Sequence, residues 1–282
     1  MSTALKDILV NHVKAKFARN EVVASMTVRL VRGVEIARIA KTVGFDTLYV
    51  DMEHCSFSID TTGQICMAAL EAGITPLVRV PANTPEYISR VLDAGAMGVI
   101  APHVRSADEA RAVVRAAKFP PLGDRSANAG LPHLQYRSFP ASEANPALNE
   151  ATLVCVMMET VDALEQVEEI AAVEGVDMML IGTNDLTAEW GIPGNYDDPR
   201  VAAAYERTIS ACRKHGKHVG IGGLATRPDL VERFVQMGAR YVSTGTDIGF
   251  LVAACTAKAK AVTAIKVVMP APLVIPAKAG IQ

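Results

Sequence analysis

Short apolar runs alternate along this chain with longer stretches whose apolar positions recur every third or fourth residue. The runs at 22–28, Thr47–Asp51, 76–80, Gly98–Ala101, 218–221 and 241–244 read as buried strands. A helical pattern follows each of them: at 33–42, at Ile59–Ala72, from Pro85, from Ser106, at Pro228–Met237 and at 247–267. Thr84 with Pro85 announces one helix start, the capping-box pair Ser106 and Glu109 another, and Gly95 a stop. Two further runs, 156–160 and 181–186, each stop on a carboxylate, Glu159 and Asp185, and enclose an amphipathic stretch at 161–173. A turn of helix at 186–190 and a helix at 199–215 follow the second run. Eight strands, each followed by a helix and none by a hairpin signal, predict an α/β fold of the (β/α)₈ barrel type. A doubly wound sheet is the alternative, and the glycine-rich GxGxxG turn it calls for is missing.

Three stretches lie outside this rhythm. Residues 1–20 read as a polar amino-terminal segment, and 119–150, rich in Pro, Gly, Ser and Asn, as a long loop of the kind that is either functional or disordered. Residues 268–282 carry three prolines and no period, so the barrel domain is expected over 1–267 with 268–282 as a tail outside the fold, disordered in this reading.

Barrels of this kind carry their chemistry at the carboxyl ends of the strands. A right-handed crossover makes the strands ending at Glu159 and Asp185 parallel neighbours, so two hard oxygen ligands emerge side by side and suit Mg²⁺ or Mn²⁺. Each carboxylate could instead cap the helix that follows it. Asp51, Glu53 and His54 close the second strand. His54 stands three residues after Asp51, which could hold its tautomer, and Asp93 is a further candidate for that role. Arg79 interrupts an apolar strand and cannot shed its charge, so it needs an anion: a substrate group, or a carboxylate in a structural salt bridge. Metal, arginine and a histidine base together describe a site that binds a 2-oxo acid and removes a proton next to its carbonyl, giving a metal enolate. A Schiff-base route is excluded, because Lys41, Lys118, Lys214, Lys217 and Lys258 fall on helices, helix ends or the loop before the seventh strand.

Composition narrows the partners. A net charge of -2 and a pI near 6.3 offer nothing to nucleic acid or to an anionic membrane, and no apolar run is long enough to span one. Among five cysteines there is no CxxC; Cys66, Cys155, Cys212 and Cys255 sit in apolar segments and read as reduced core thiols. With a charged residue 1–20 stretch that lacks a signal-peptide core, this predicts a cytoplasmic protein. Cys55 beside His54 is a poor nucleophile pair, since adjacent strand residues point to opposite faces.

At several of these positions the sequence resembles the metal-dependent pyruvate aldolases of the HpcH/HpaI family. The resemblance covers roughly residues 45–250 and lies in Phe45-Asp46-x-x-x-x-Asp51-x-Glu53-His54, Pro76-Leu77-Val78-Arg79-Val80-Pro81 and Leu92-Asp93-x-Gly95-Ala96. It continues in Pro120-Pro121-x-Gly123-x-Arg125, Glu159-Thr160 and Ile181-Gly182-x-x-Asp185-Leu186. The resemblance implies a divalent metal (Mg²⁺ or Mn²⁺, with Co²⁺ also open) held by Glu159 and Asp185. Arg79 would steady an enolate oxygen, and His54 would act as base beside Asp51 or Asp93. Gly182, Thr183 and Asn184 would cradle the pyruvate carboxylate. It also implies a homo-oligomer, a hexamer built as a trimer of dimers, with the last helix exchanged between subunits.

This chain departs from the family pattern in having Met157 and Met158 before Glu159, Thr183 and Asn184 before Asp185, and His103 after Ala101-Pro102. His103 would either line the acceptor pocket or pack. The expected activity is that of a class II aldolase cleaving a 4-hydroxy-2-oxo acid to pyruvate, or an analogue, and an aldehyde. Arg125 and Arg137 in the 119–150 loop are candidates for the aldehyde side. The alternatives are citrate-lyase-like acyl-CoA cleavage or oxaloacetate decarboxylation on the same metal, and a silent barrel serving as a binding module.

Overall fold

The computed structural model describes residues 3–267. Eight strands, β1 (Val23–Val28), β2 (Thr47–Asp51), β3 (Thr75–Arg79), β4 (Gly98–Ala101), β5 (Leu153–Met158), β6 (Met178–Gly182), β7 (His218–Gly222) and β8 (Tyr241–Thr246), form a closed barrel in chain order. All eight pairings are parallel, β1 with β8 included. Parallel neighbours need a crossover, and the helices supply it. Two helices, α1 (Thr3–Ile8) and α2 (His12–Ala18), precede the barrel. Then come α3 (Glu35–Thr42), α4 (Ile59–Ala72), α5 (Pro85–Asp93), α6 (Ala107–Ala117), α7 (Ala141–Ala151), α8 (Val161–Glu165) and α9 (Val167–Ala171). The set ends with α10 (Thr183–Glu189), α11 (Pro199–Lys214), α12 (Pro228–Met237) and α13 (Asp247–Thr263).

Local chemistry explains the helix ends. Ser58 accepts the Thr61 N–H at 3.1 Å to start α4, and Gly73, at φ +69, ends it in the left-handed conformation that glycine adopts without steric cost. Ser106 accepts the Glu109 N–H at 3.2 Å, while Glu109 reaches back to the Arg105 N–H at 2.6 Å, one residue earlier than a standard capping box. The single helix expected at 161–173 is divided at Gln166, which ends α8 and begins α9.

The barrel interior is filled by Tyr49, Leu77, Ile100, Met178, Leu180 and Tyr241, and Val13 and Phe17 of α2 belong to the same cluster. Residues 1–20 are therefore not simply a polar segment. Phe17 stacks on His218 at the start of β7, with ring centroids 4.1 Å apart, so α2 closes the barrel at its amino-terminal end. The Asn11 side chain caps α2 through the Lys14 N–H and donates to the carbonyls of Met97 and Ala151, which precede β4 and β5.

The 119–150 segment is likewise folded. It holds a 3₁₀ turn, Pro132–Leu134, and α7, and it packs Phe119, Leu131, Leu134 and Leu148 against Leu5 of α1. His133 approaches the carbonyl of Ala96, just before β4, at 2.9 Å, and the Lys118 ammonium donates to the carbonyls of Asn149 and Thr152, just before β5. These anchors place the segment at the amino-terminal end of the barrel, away from the strands' carboxyl ends.

Burial pushes the His133 ring down to about 4, with the Ala96 carbonyl only partly opposing it. The unfolded ring takes up a proton below about 6.5 and the folded ring only near 4, so lowering the pH through that window favours unfolding. The expected loss is on the order of 3 kcal/mol between pH 6.5 and 4, measurable by urea titration. In His133→Gln that part of the pH slope should vanish; an unchanged slope would assign it elsewhere.

A second compact unit begins at Gly249. Within it Leu251, Val252 and Val262 are exposed, and so is Cys255, which is not the core thiol its apolar surroundings predicted. Cys66, Cys155 and Cys212 are buried as expected. No helix among the described residues is long and apolar enough to cross a membrane. The expected tail, 268–282, lies outside the described residues.

Candidate active site

The register of β2 on β3 sets Asp51 directly beside Arg79. Arg79 donates to both Asp51 oxygens, Nε at 2.9 Å and Nη2 at 2.6 Å, and its Nη1 lies 2.7 Å from Glu53. Its guanidinium also stands over the Tyr49 ring at 5.5 Å. Asp51 is fully buried and Arg79 nearly so, and a second cation, Arg29, donates to Asp51 through Nε at 2.6 Å. Burial alone would raise the Asp51 carboxyl, but the hydrogen bonds and charges of Arg79 and Arg29 outweigh it and hold the group below its ordinary value. Arg29 is itself placed by Asp247, which accepts the backbone N–H groups of Arg29, Leu30 and Val31 at 3.0, 2.9 and 2.8 Å.

His54 sits at the same mouth with its ring half exposed. Its contact with Asp51 runs through the backbone N–H at 3.3 Å, and the carboxylate beside its ring belongs to Glu53, 3.7 Å from Nε2. Asp93 lies elsewhere. It ends α5, a helix that runs from the carboxyl end of β3 back to the start of β4, and it pairs with the buried Arg125 at 2.6 Å. Arg125 in turn lies over the Phe119 ring at 4.6 Å. The structure thus gathers Asp51, His54, Arg79, Glu159, Gly182 and Asp185 at one mouth and sets Asp93 and Arg125 at the other end of their own barrel. The reason is topological: each helix reverses direction, so a helix's last residue cannot face the site at its strand's carboxyl end.

Glu159 follows β5 and is 2 % exposed. Its Oε1 accepts the His103 backbone N–H at 2.6 Å and lies 2.9 Å from the His103 ring Nδ1, while Oε2 is buried with no hydrogen-bond partner. Burial raises its carboxyl above the ordinary value; the His103 N–H and ring pull it partly back, and the nearby charges of Asp185 and Glu53 add to the rise. Gly182 makes room for this carboxylate, since a Cβ there would stand 2.6 Å from Oε2. Asp185 lies exposed in the first turn of α10. That turn is tied down by Thr183 Oγ1 to Tyr205 at 2.9 Å and by the Tyr196 hydroxyl donating to Asn184 at 2.7 Å.

Among the described residues no group of three His, Cys, Asp or Glu side chains is arranged to hold a metal alone. Two carboxylates, one offering a buried oxygen that nothing satisfies, nonetheless fit a hard divalent ion, which commonly keeps water or substrate in its remaining positions. Arg29 escaped the sequence reading as a member of this site, and so did the pairing of Glu53 with Arg79 and the bridging role of His103. Arg29 directly follows β1 and His103 follows β4 by two residues, so a search of every strand end would have found both.

A closed parallel barrel whose carboxyl-terminal mouth holds buried carboxylates crossed by arginine is the build of a (β/α)₈ enzyme site. The chain belongs to the HpcH/HpaI aldolase/citrate lyase family, whose sequence profile matches residues 32–254. It is 38 % identical over 266 residues to the 4-hydroxy-4-methyl-2-oxoglutarate aldolase of Hapsidospora irregularis, covering 93 % of this chain and 97 % of that one. With the 4-hydroxy-2-oxo-heptane-1,7-dioate aldolase of Escherichia coli it shares 35 % over 224 residues, 79 % of this chain and 84 % of the relative. Among solved structures, the HpcH/HpaI aldolase of Desulfitobacterium hafniense superposes with a TM-score of 0.84 at 28 % identity, covering 93 % of this chain and all of that one.

Proposed function

We propose that this chain is an aldolase that reversibly cleaves a 4-hydroxy-2-oxo acid into pyruvate, or a close analogue, and a carbonyl acceptor. The observation that carries the reading is the buried Glu159 Oε2, unsatisfied and next to Asp185 at the strands' carboxyl ends. Glu159 and Asp185 would hold Mg²⁺ or Mn²⁺. A divalent ion there supplies positive charge for the 2-oxo group as electron density moves onto it. The names of the aligned aldolases support the choice of substrate class.

The rest follows from the chain's own groups. The backbone opening α10, at Gly182, Thr183 and Asn184, presents N–H groups to the substrate carboxylate. His54, half exposed at the mouth with Glu53 beside its ring, takes the proton of the C4 hydroxyl. The C3–C4 bond then breaks, its electron pair remains on C3, and a proton returned to C3 completes pyruvate. Arg79, locked between Asp51 and Glu53, holds a fixed positive charge next to the reacting oxygens. The exposed apolar residues Leu251, Val252 and Val262 on α13 favour a homo-oligomer, and the buried thiols fit a reducing, cytoplasmic setting.

The test needs no knowledge of the acceptor. Incubated with pyruvate in D₂O, the protein should erase the methyl proton signal when Mn²⁺ or Mg²⁺ is present and leave it intact after EDTA. No exchange under any metal, with oxaloacetate also untouched, would sink the aldolase reading and turn attention to thioester cleavage.

A further inference from the structure

Among the described residues His103 touches carboxylates from both sides of the mouth, Glu53 and Glu159, and its place in the chain is tightly set. The peptide joining Pro102 to His103 is held at both ends: the Asn83 side chain donates to the Pro102 carbonyl, and the His103 N–H donates to Glu159 Oε1 at 2.6 Å. His103 adopts φ +55, a conformation that costs most residues energy and that glycine and asparagine tolerate best. In that conformation the ring turns to the same side as the N–H. Nδ1 comes to 2.9 Å from the same Glu159 oxygen, and Nε2 to 2.7 Å from Glu53 Oε1. Two groups of one residue therefore occupy one oxygen of Glu159. The other oxygen is left bare, in space that Gly182 keeps open.

We propose that His103 is a positioning residue for Glu159, occupying Oε1 so that only Oε2 is offered to a divalent cation, with Glu53 holding the imidazole in place. This rests on the reading that Glu159 helps to hold such an ion. A free carboxylate can rotate and present either oxygen or both; one pinned through Oε1 is already oriented, and less side-chain freedom is lost when the ion arrives. The strained turn makes sense on the same terms, because a relaxed backbone would not bring both the N–H and the ring to one atom.

Two substitutions separate the ring from the turn. His103→Gly keeps φ +55 accessible and the N–H in place but removes the ring. His103→Asn keeps the turn and restores a side-chain N–H near the position of Nδ1. Calorimetric titration with Mn²⁺ should show affinity falling about 10–100-fold in the Gly variant and largely recovering in the Asn variant. The melting midpoint of the metal-free protein should move little in either. At saturating Mn²⁺ the methyl exchange rate should return towards that of the wild type, as fits a group acting through Glu159. Unchanged or tighter Mn²⁺ binding by His103→Gly would overturn the proposal, as would an exchange rate that stays low at saturation, which would make the ring a catalytic group. If the wild type itself takes up no Mn²⁺, the metal reading falls first and this inference with it, a failure distinct from equal binding by all three proteins.

Discussion

Glu159→Gln should give a folded barrel that no longer exchanges the methyl hydrogens of pyruvate. The substitution preserves shape and leaves an amide oxygen able to accept the His103 N–H, so the mouth need not collapse. What it removes is the carboxylate charge, at a buried oxygen, Oε2, that has no hydrogen-bond partner among the described residues. Metal stabilisation of a developing negative charge amounts to several kcal/mol, so the exchange rate should drop by at least about 10²-fold. The metal-free variant should melt no lower than the wild type, because burial already disfavours the Glu159 carboxylate. Proton NMR and a melting curve on the same sample decide it. Wild-type exchange in Glu159→Gln would remove Glu159 from the chemistry.

Arg79→Met should be the most destabilising single change at the mouth. It leaves Asp51 fully buried with Arg29 as its one remaining cation among the described residues, beside the Glu53 and His54 N–H groups, and takes from Glu53 the guanidinium at 2.7 Å. Stranding buried carboxylates in this way costs about 3–5 kcal/mol, and the remaining Arg29 contact argues for the lower end. Urea unfolding at neutral pH measures it. The acid limb provides a check on the cause. Asp51 has its folded pKa depressed, so its pairing contributes fully above the unfolded value near 3.9 and is lost as the pH falls through the lower folded one. The wild type should therefore lose stability below about pH 4, and Arg79→Met should show a shallower loss there. Equal stability of the two proteins at neutral pH would mean that water or another cation replaces Arg79 at no cost.

The barrel could be read from the chain because its strands are short apolar runs and its helices carry caps. β2, β4, α4 and α12 fall where periodicity put them. What escaped was structure made by few residues. α2 contributes only Val13 and Phe17 to the interior, too few to establish a period. α7 carries Pro146 inside it and an Ala- and Asn-rich face, which reads as loop. At the site, the strand-end carboxylates and Arg79 were legible, since a charge closing an apolar strand stands out against its neighbours. Side-chain partnership was not. Asp51, which sequence spacing offered to His54, faces two arginines, and that choice depends on the lateral register of β2 and β3, a quantity no single segment encodes. The position of Asp93 was hidden for a similar reason, because closeness in a motif does not fix which end of a helix faces the mouth of its own barrel.

The seam between β1 and β8 has a consequence for how the molecule must be made. Val23 pairs with Tyr241, Tyr241 donates to Ser25, Thr27 meets Ser243, and Thr244 donates to the Ser25 carbonyl, so the first strand finds its second neighbour only some 216 residues further along the chain. Contacts this distant in sequence form slowly, and until they form β1 and β8 remain open edges able to pair with other chains. The same closure brings Asp247 onto the backbone that aims Arg29 at Asp51. A chain still emerging from the ribosome therefore lacks the last tie of its mouth until the whole ring has shut.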